Sequence, residues 1–185
     1  MSAPSPAVPP AASEACPTAV ARASVVVRPG REDDADAVVA MVRALAAYER
    51  SEDQVRLTSE QLRRAVFTGA AAGGGPAAHL LVAEQGGEPI GFALWFLSFS
   101  TWEGVHGVYL EDLYVEPEHR GSGAGRALLV ALARTADERG WARVEWSVLD
   151  WNAPAIGFYR RLGAVPMDGW TTYRLAGSAL ASLAR

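Results

Sequence analysis

The stretch that decides the fold is LEDLYVEPEHRGSGAGRALLVALARTADERG, residues 110–140. It opens as a strand pattern and closes as a long amphipathic helix pattern. Between the two, Gly121, Gly123 and Gly125 alternate with small residues. A helix start carries unpaired N–H groups and a partial positive charge, and glycines remove the Cβ atoms that would keep an anion away. The stretch therefore indicates a turn that holds a phosphate, with a glycine-rich packing turn as the alternative.

The rest of the chain indicates a mixed α/β domain of order β-α-α-β-β-β-α-β-α-β, followed by a terminal helix. The predicted strands lie at 24–29, 79–85, 89–100, 104–117, 142–150 and 170–175. The predicted helices lie at 32–49, 58–67, 122–140, 152–163 and 177–184. Residues 1–23 are rich in Ala, Pro and Ser, so we expect a disordered tail there and one domain over 24–185.

Composition narrows the classes of function. The net charge of −4 argues against a nucleic-acid binder and suits a cationic small substrate. Cys16 is the only cysteine and the three histidines are scattered, so we expect no disulfide framework and no metal site. No apolar run has membrane-spanning length, and the N-terminus lacks the pattern of a signal peptide. The expected location is cytoplasmic.

Arg120-x-x-Gly123-x-Gly125 resembles the coenzyme A signature of the GNAT acetyltransferases. The segments YERSEDQVRLT (48–58), YLEDLYVEPEHRGSGAG (109–125) and LDWNAPAIGFYRRLGA (149–164) are similar to blocks of the diamine (spermidine/spermine) acetyltransferase branch and its thialysine-acetylating relatives. The resemblance spans residues 24–184. It implies a GNAT (acyl-CoA N-acyltransferase) fold, with a mixed central sheet that is splayed at the coenzyme A site and flanked by helices.

The resemblance also implies an activity. The chain would move the acetyl group of acetyl-CoA directly to a primary amine of a small cationic acceptor such as a polyamine, a diamine or a thialysine-like amino acid. No metal would take part. A homodimer is expected, with the 170–175 strand near the partner. Two other functions stay open: acetylation of a protein N-terminus or lysine, and a catalytically silent coenzyme A-binding module.

The residues that the resemblance assigns to the cofactor lie at the turn, on the strand before it and after LDW. The backbone of the strand would pair with pantetheine, and the turn would bind the pyrophosphate. Asn152 would bond the coenzyme A arm, with simple capping of the following helix as the alternative. The full set is Leu113, Tyr114, Val115, Arg120, Gly121, Ser122, Gly123, Ala124, Gly125, Arg126 and Asn152.

Two residues are candidates for catalysis. By resemblance, Glu111 accepts the proton of the amine and Tyr159 protonates the departing thiolate. The alternatives are a solvated acid at a strand end and a tyrosine that packs in the core. Glu111 and Asp112 are adjacent on a strand, so we expect their side chains on opposite faces. The acceptor would meet Tyr48, Glu49, Glu111 and Trp102, with Glu52 and Asp53 extending an acidic lip.

Overall fold

The computed structural model describes residues 23–69 and 74–185. Five strands are present: β1 (Val25–Pro29), β2 (His79–Gln85), β3 (Glu88–Ser100), β4 (Val105–Val115) and β5 (Val144–Trp146). The α-helices are α1 (Ala35–Tyr48), α2 (Ser59–Val66), α3 (Ala124–Glu138), α4 (Ala153–Arg161) and α5 (Gly177–Leu183). The predicted tail, residues 1–23, lies outside the described residues except for Ala23. Within the described ranges, no helix has the length and apolar character needed to cross a bilayer.

The strands form one mixed sheet in the order β1-β2-β3-β4-β5. The first four strands pair antiparallel, and the β2–β3 turn has Gly86 and Gly87 at positive φ. The segment that leads into β5 joins β4 through two hydrogen bonds, from Ala142 N to His106 O and from Val108 N to Arg143 O. Residue numbers rise in the same direction along both segments, which makes this pairing parallel.

Both faces of the sheet in residues 23–145 are covered. Helices α1 and α2 pack on one face, in a core cluster that includes Val38, Leu62 and Phe92. Ala83 and Ala93 are fully buried on the opposite face of the sheet. Their partners in the strand pairing, Gly91 and Leu81, are not members of this cluster. Helix α3 contacts β1 to β4, and we place it over these small residues. The double covering explains why β2 and β3 are apolar with little alternation.

Helices α1 and α2 have well-defined starts. Before α1, Asp34 is almost fully buried and accepts two hydrogen bonds from the Arg28 guanidinium, at 2.7 and 2.9 Å. Arg28 also donates to Glu84 on β2, at 2.6 Å, so one cation ties the start of α1 to two strands. Before α2, Thr58 and Gln61 form a capping box.

Residues 146–185 form a second compact unit, with α4 and α5. The predicted strand at 170–175 is wrong, because these residues adopt no strand conformation. Trp170 and Tyr173 are 72% and 92% exposed. A β-like pattern becomes a strand only where a neighbouring strand offers backbone partners, and the local pattern carries no information on such a partner.

Candidate active site

The turn between β4 and α3 has the backbone that its glycines indicated. A short 3-10 turn, Pro117–His119, leads to Arg120. Gly121 and Gly123 follow with φ of 80° and 93°, in the left-handed region that only glycine adopts readily. A Cβ placed on either glycine would meet no atom within 4 Å. The glycines are therefore required by the backbone, and the space beside them is open to a ligand.

The first turn of α3 supplies N–H donors to this open space. Ala127 N donates to Gly123 O at 2.9 Å, so the N–H groups of Gly123, Gly125 and Arg126 come before the first bond of the helix ladder. Ser122 Oγ accepts from Ala124 N at 3.3 Å, while the N-cap residue of α3 is Gly123. The remaining N–H groups and the helix dipole suit an anion such as a diphosphate.

Arg120 connects the turn to two other elements. Its guanidinium carbon lies 5.4 Å from the centre of the Tyr48 ring and 5.8 Å from that of Tyr114. Its Nε donates to Val115 O at 3.1 Å. Both aromatic contacts are within the range of cation–π attraction. The side chain thus fixes the position of the turn relative to β4 and to the last residue of α1.

A cluster of carboxyl groups lies between the end of α1 and β4. Burial, together with the charges of Glu111 and Glu49, raises the pKa of Asp112 to about 6. Burial also raises the pKa of Glu49. Three carboxyl groups are therefore close enough to act on each other in a partly dehydrated place. Such a cluster attracts a cation and holds protons more tightly than free carboxyl groups do.

Glu111 sits at an irregularity in β4. In the pairing with β3, Asp112 lies opposite Leu94 and Leu110 lies opposite Trp95, so Glu111 has no partner residue. This is a β-bulge, and bulges are common next to active sites because they redirect a side chain. The expectation that Glu111 and Asp112 face opposite ways assumed strict alternation, which the bulge interrupts. Glu111 is exposed, whereas Asp112 is partly buried.

The end of α1 carries a second irregularity that the sequence analysis missed. Arg50 N donates to Ala47 O at 3.1 Å and Ser51 N donates to Ala46 O at 2.8 Å, the pair of bonds of a Schellman motif. Arg50 takes the left-handed position with φ of 59°, where glycine is usual. An open depression beside it is lined by Ala47, Arg50, Glu52 and Asp53. Glu52 and Asp53 thus line one surface, as expected of an acidic lip, but an arginine shares it.

The other candidates lie elsewhere. Trp102 is 89% exposed in the β3–β4 turn, before Val105. Val105 itself is seven residues from Asp112, or about 23 Å along a strand. Leu113, Tyr114 and Val115 pair with Ala93, Phe92 and Gly91 of β3, and the Tyr114 side chain is buried in the core.

Two candidates belong to the second unit. Asn152 accepts from Ala155 N at 3.2 Å, which is the helix cap that the sequence analysis gave as the alternative to cofactor binding. The ring of Tyr159 lies 4.8 Å from that of Trp146 and 5.3 Å from that of Phe158. The tyrosine ring is therefore held by aromatic neighbours on α4 and just before it.

Comparison with known proteins gives four findings. An acetyltransferase (GNAT) family model matches residues 42–164. A thialysine N-epsilon-acetyltransferase of Sus scrofa is 38% identical over 173 residues, which cover 88% of this chain and 98% of the relative. An L-ornithine N5-acetyltransferase of Arabidopsis thaliana is 40% identical over 93 residues, which cover 50% of this chain and 41% of that protein. Among solved structures, an integron cassette protein from the mobile metagenome of V. cholerae has a TM-score of 0.71 at 23% identity, covering 88% of this chain and 98% of its own, a likeness in fold.

The raised pKa of Asp112 predicts a pH-dependent effect of Asp112→Asn on stability. The folded state binds this proton more tightly than the unfolded chain, whose pKa is near 3.8. Ionisation of this carboxyl therefore costs increasing stability as pH rises from about 4 to about 6, costs the full amount above about pH 6, and costs nothing below the unfolded pKa. Relative to the unsubstituted protein, the variant should gain up to about 3 kcal/mol in free energy of unfolding as pH rises from about 4 to about 7. Urea unfolding across this range measures the gain.

Asp137→Asn, at an exposed aspartate of α3, is the control and should show no such gain. A gain from Asp112→Asn that does not vary with pH would contradict the assignment.

Proposed function

The chain belongs to the GNAT family of acetyltransferases, and we propose that it moves the acetyl group of acetyl-CoA directly to a primary amine of a small cationic acceptor. The acceptor class is a polyamine, a diamine or a thialysine-like amino acid. The names of the Sus scrofa and Arabidopsis relatives support an aliphatic primary amine, since thialysine and L-ornithine both carry one. We further propose that residues 24–185 act as one acetyltransferase domain in a cytoplasmic homodimer.

A single observation supports the proposal: the Arg120 side chain links the glycine turn to the strand and the helix end that carry the carboxyl groups. Its guanidinium touches Tyr48, which precedes Glu49, and Tyr114, which lies two residues after Asp112. The two substrates of the proposed reaction have opposite charges, a diphosphate on one and an ammonium on the other. The turn and the cluster offer the matching opposite charges in adjacent places.

The turn fits the proposed cofactor. Acetyl-CoA supplies the acetyl group as an activated thioester and presents a diphosphate. The N–H groups of Gly121, Gly123, Gly125 and Arg126, with Ser122 and Ala124 between them, would hold that diphosphate in the open space beside the two left-handed glycines. Arg120 would act on this site by holding the turn in place.

The strand before the turn is the proposed support for the pantetheine arm, through the backbone of Leu113, Tyr114 and Val115. In the hydrogen bonds between β4 and the segment before β5, His106 O accepts and Val108 N donates, and both lie at the start of β4. Residues 113–115 lie at the other end of β4. That spacing agrees with a sheet that is splayed near the turn. Asn152 is proposed as a further contact to the arm, in addition to its capping bond.

Acceptor binding and deprotonation place opposite demands on the carboxyl cluster. Glu49 and Asp112 attract the ammonium, with Tyr48 beside them. The same negative charge stabilises the ammonium, whose pKa of about 10.4 already leaves little free amine at neutral pH. A proton acceptor is therefore needed, and we assign that role to the exposed Glu111 at the bulge, directly or through water. Trp102 remains a proposed acceptor contact that a partner protomer would have to bring near.

Tyr159 is the proposed general acid for the departing thiolate. A phenol has an ordinary pKa near 10 and can donate a proton to a thiolate as it forms. The aromatic rings of Trp146 and Phe158 beside it restrict the orientation of the hydroxyl group. The assignment rests on the motif GFYRRLGA and on this restriction.

The proposed function is tested by a panel of acceptors with acetyl-CoA and a thiol-reactive readout. The panel includes a polyamine, a diamine, L-lysine, L-ornithine, and a peptide with a free N-terminus and an internal lysine. We expect release of coenzyme A with at least one small amine well above both hydrolysis and the peptide rate. Preference for the peptide would favour a protein acetyltransferase. Binding of acetyl-CoA without turnover on any acceptor would favour a silent module.

Gly123→Ala is predicted to weaken acetyl-CoA binding about tenfold or more, a loss of at least about 1.4 kcal/mol. The new Cβ would project into the open space that the diphosphate is proposed to occupy. Gly140→Ala is the matched control, since Gly140 follows the same helix, is also left-handed and also faces open space. Calorimetry compares the two. Equal acetyl-CoA affinity in both folded variants would exclude the turn as the phosphate site.

Tyr159→Phe should lower kcat about 10²- to 10⁴-fold with little change in acetyl-CoA affinity, because it removes only the proton donor. Glu111→Gln should instead raise the acceptor KM, lower kcat and shift the acidic limb of the pH–rate profile. Steady-state kinetics on the best acceptor separate the two patterns. Tyr173→Phe, at a tyrosine that is 92% exposed, controls for loss of a hydroxyl and should retain the full rate. If Tyr159→Phe also retained it, the tyrosine would only pack.

A further inference from the structure

Arg50 is held in a backbone conformation that its side chain disfavours. Within residues 23–69 and 74–185, it is the one non-glycine residue with a positive φ. The left-handed region costs an L-residue with a Cβ about 1–2 kcal/mol, and glycine is the usual residue at this position of a Schellman motif. The backbone therefore favours glycine here, and the chain has an arginine instead. A residue kept against its backbone preference is a candidate for a role of its side chain.

The surroundings of Arg50 contain both signs of charge. The depression that it lines also has Glu52 and Asp53, and Ala47 completes it on the α1 side. Arg50 directly follows Glu49, whose charge acts on Asp112 of the carboxyl cluster. A site built only for polyamines, which carry positive charges alone, gains nothing from a guanidinium at this place. An α-amino acid with a terminal amine carries a carboxylate as well as ammonium groups.

We propose that Arg50 forms a carboxylate subsite of the acceptor site, so that the preferred acceptors are α-amino acids with a terminal primary amine. The guanidinium binds the α-carboxylate, and Glu52 and Asp53 lie beside the α-ammonium. The terminal ammonium then extends toward Glu49 and Asp112. A guanidinium has five N–H donors and binds carboxylates in a two-pronged geometry, so an interaction with one neighbour leaves donors for the ligand. The inference rests on the proposed function.

The test uses pairs of acceptors that differ only in the α-carboxylate: L-lysine against cadaverine, and L-ornithine against putrescine. For the unsubstituted protein, kcat/KM should be higher for the amino acid of each pair. Arg50→Gln should lower kcat/KM for the amino acids about 10- to 100-fold, the worth of a charge-assisted hydrogen bond, and leave the diamines unchanged or improved. Arg50→Lys should retain part of the preference because it keeps the charge.

Two further variants separate charge, strain and fold. Arg43→Gln removes one positive charge from an exposed position of α1, outside the depression, and should leave both acceptors of a pair unchanged. Arg50→Gly relieves the backbone conformation, so it should fold at least as well as the unsubstituted protein and still lose the preference for the amino acid. A preference that persists in Arg50→Gly would overturn the subsite.

The outcomes distinguish the subsite from the activity. If the unsubstituted protein acetylates diamines but not amino acids, or if Arg50→Gln lowers kcat/KM equally for both members of a pair, the subsite is wrong and the proposed function stands. If the unsubstituted protein acetylates neither the four acceptors nor any polyamine, the proposed function fails and the subsite fails with it. Selective loss on the amino acids supports both.

Discussion

The contact of the Arg120 guanidinium with Tyr48, Tyr114 and Val115 O is the interaction on which the candidate site depends. Through it, the start of α3 is fixed against the strand that carries Glu111 and Asp112 and against the end of the helix that precedes Glu49. An arginine suits this role because one planar cation can lie against aromatic rings while its edge donates to a carbonyl. Arg120 therefore contributes by fixing the position of the turn as well as by its positive charge.

Much of the fold in residues 23–145 could be predicted from the sequence, because its signals are local. Gly86, Gly87, Gly121 and Gly123 have the positive φ that their turns need. Thr58 and Gln61 form the capping box at the start of α2. Strands β1 to β4 follow from runs of apolar residues between such turns. The segment 170–175 shows where this reasoning fails, since its β-like pattern says nothing about a strand to pair with. Pairing is a tertiary property, and alternation alone does not establish it.

The site was harder to predict than the fold because its two irregularities break the rules on which sequence reasoning relies. The expectation that the Glu111 and Asp112 side chains lie on opposite faces assumed regular alternation, and the bulge at Glu111 interrupts that alternation. Arg50 occupies a helix end where glycine would have been the signal. The helix must end before Ser51, yet no glycine follows Glu49. That missing glycine was the sequence feature that could have pointed to an unusual helix end at Arg50. The left-handed conformation of Arg50 costs stability, and both irregularities lie beside the carboxyl cluster, which is where such features are usually retained for function.

In the proposed reaction, the carboxyl cluster would have to bind an ammonium and still let it lose a proton. Three fully ionised carboxylates would bind the cation strongly and raise its pKa, which opposes deprotonation. Burial and mutual repulsion raise the pKa of Asp112 to about 6, so the cluster holds protons that isolated carboxyl groups would release. Its negative charge is thereby moderated below about pH 6, and a bound cation favours release of the retained proton. In the proposed reaction, binding of the acceptor and ionisation of the cluster would be linked, and the exposed Glu111, outside the most buried part, is the carboxylate we propose for passing a proton to solvent.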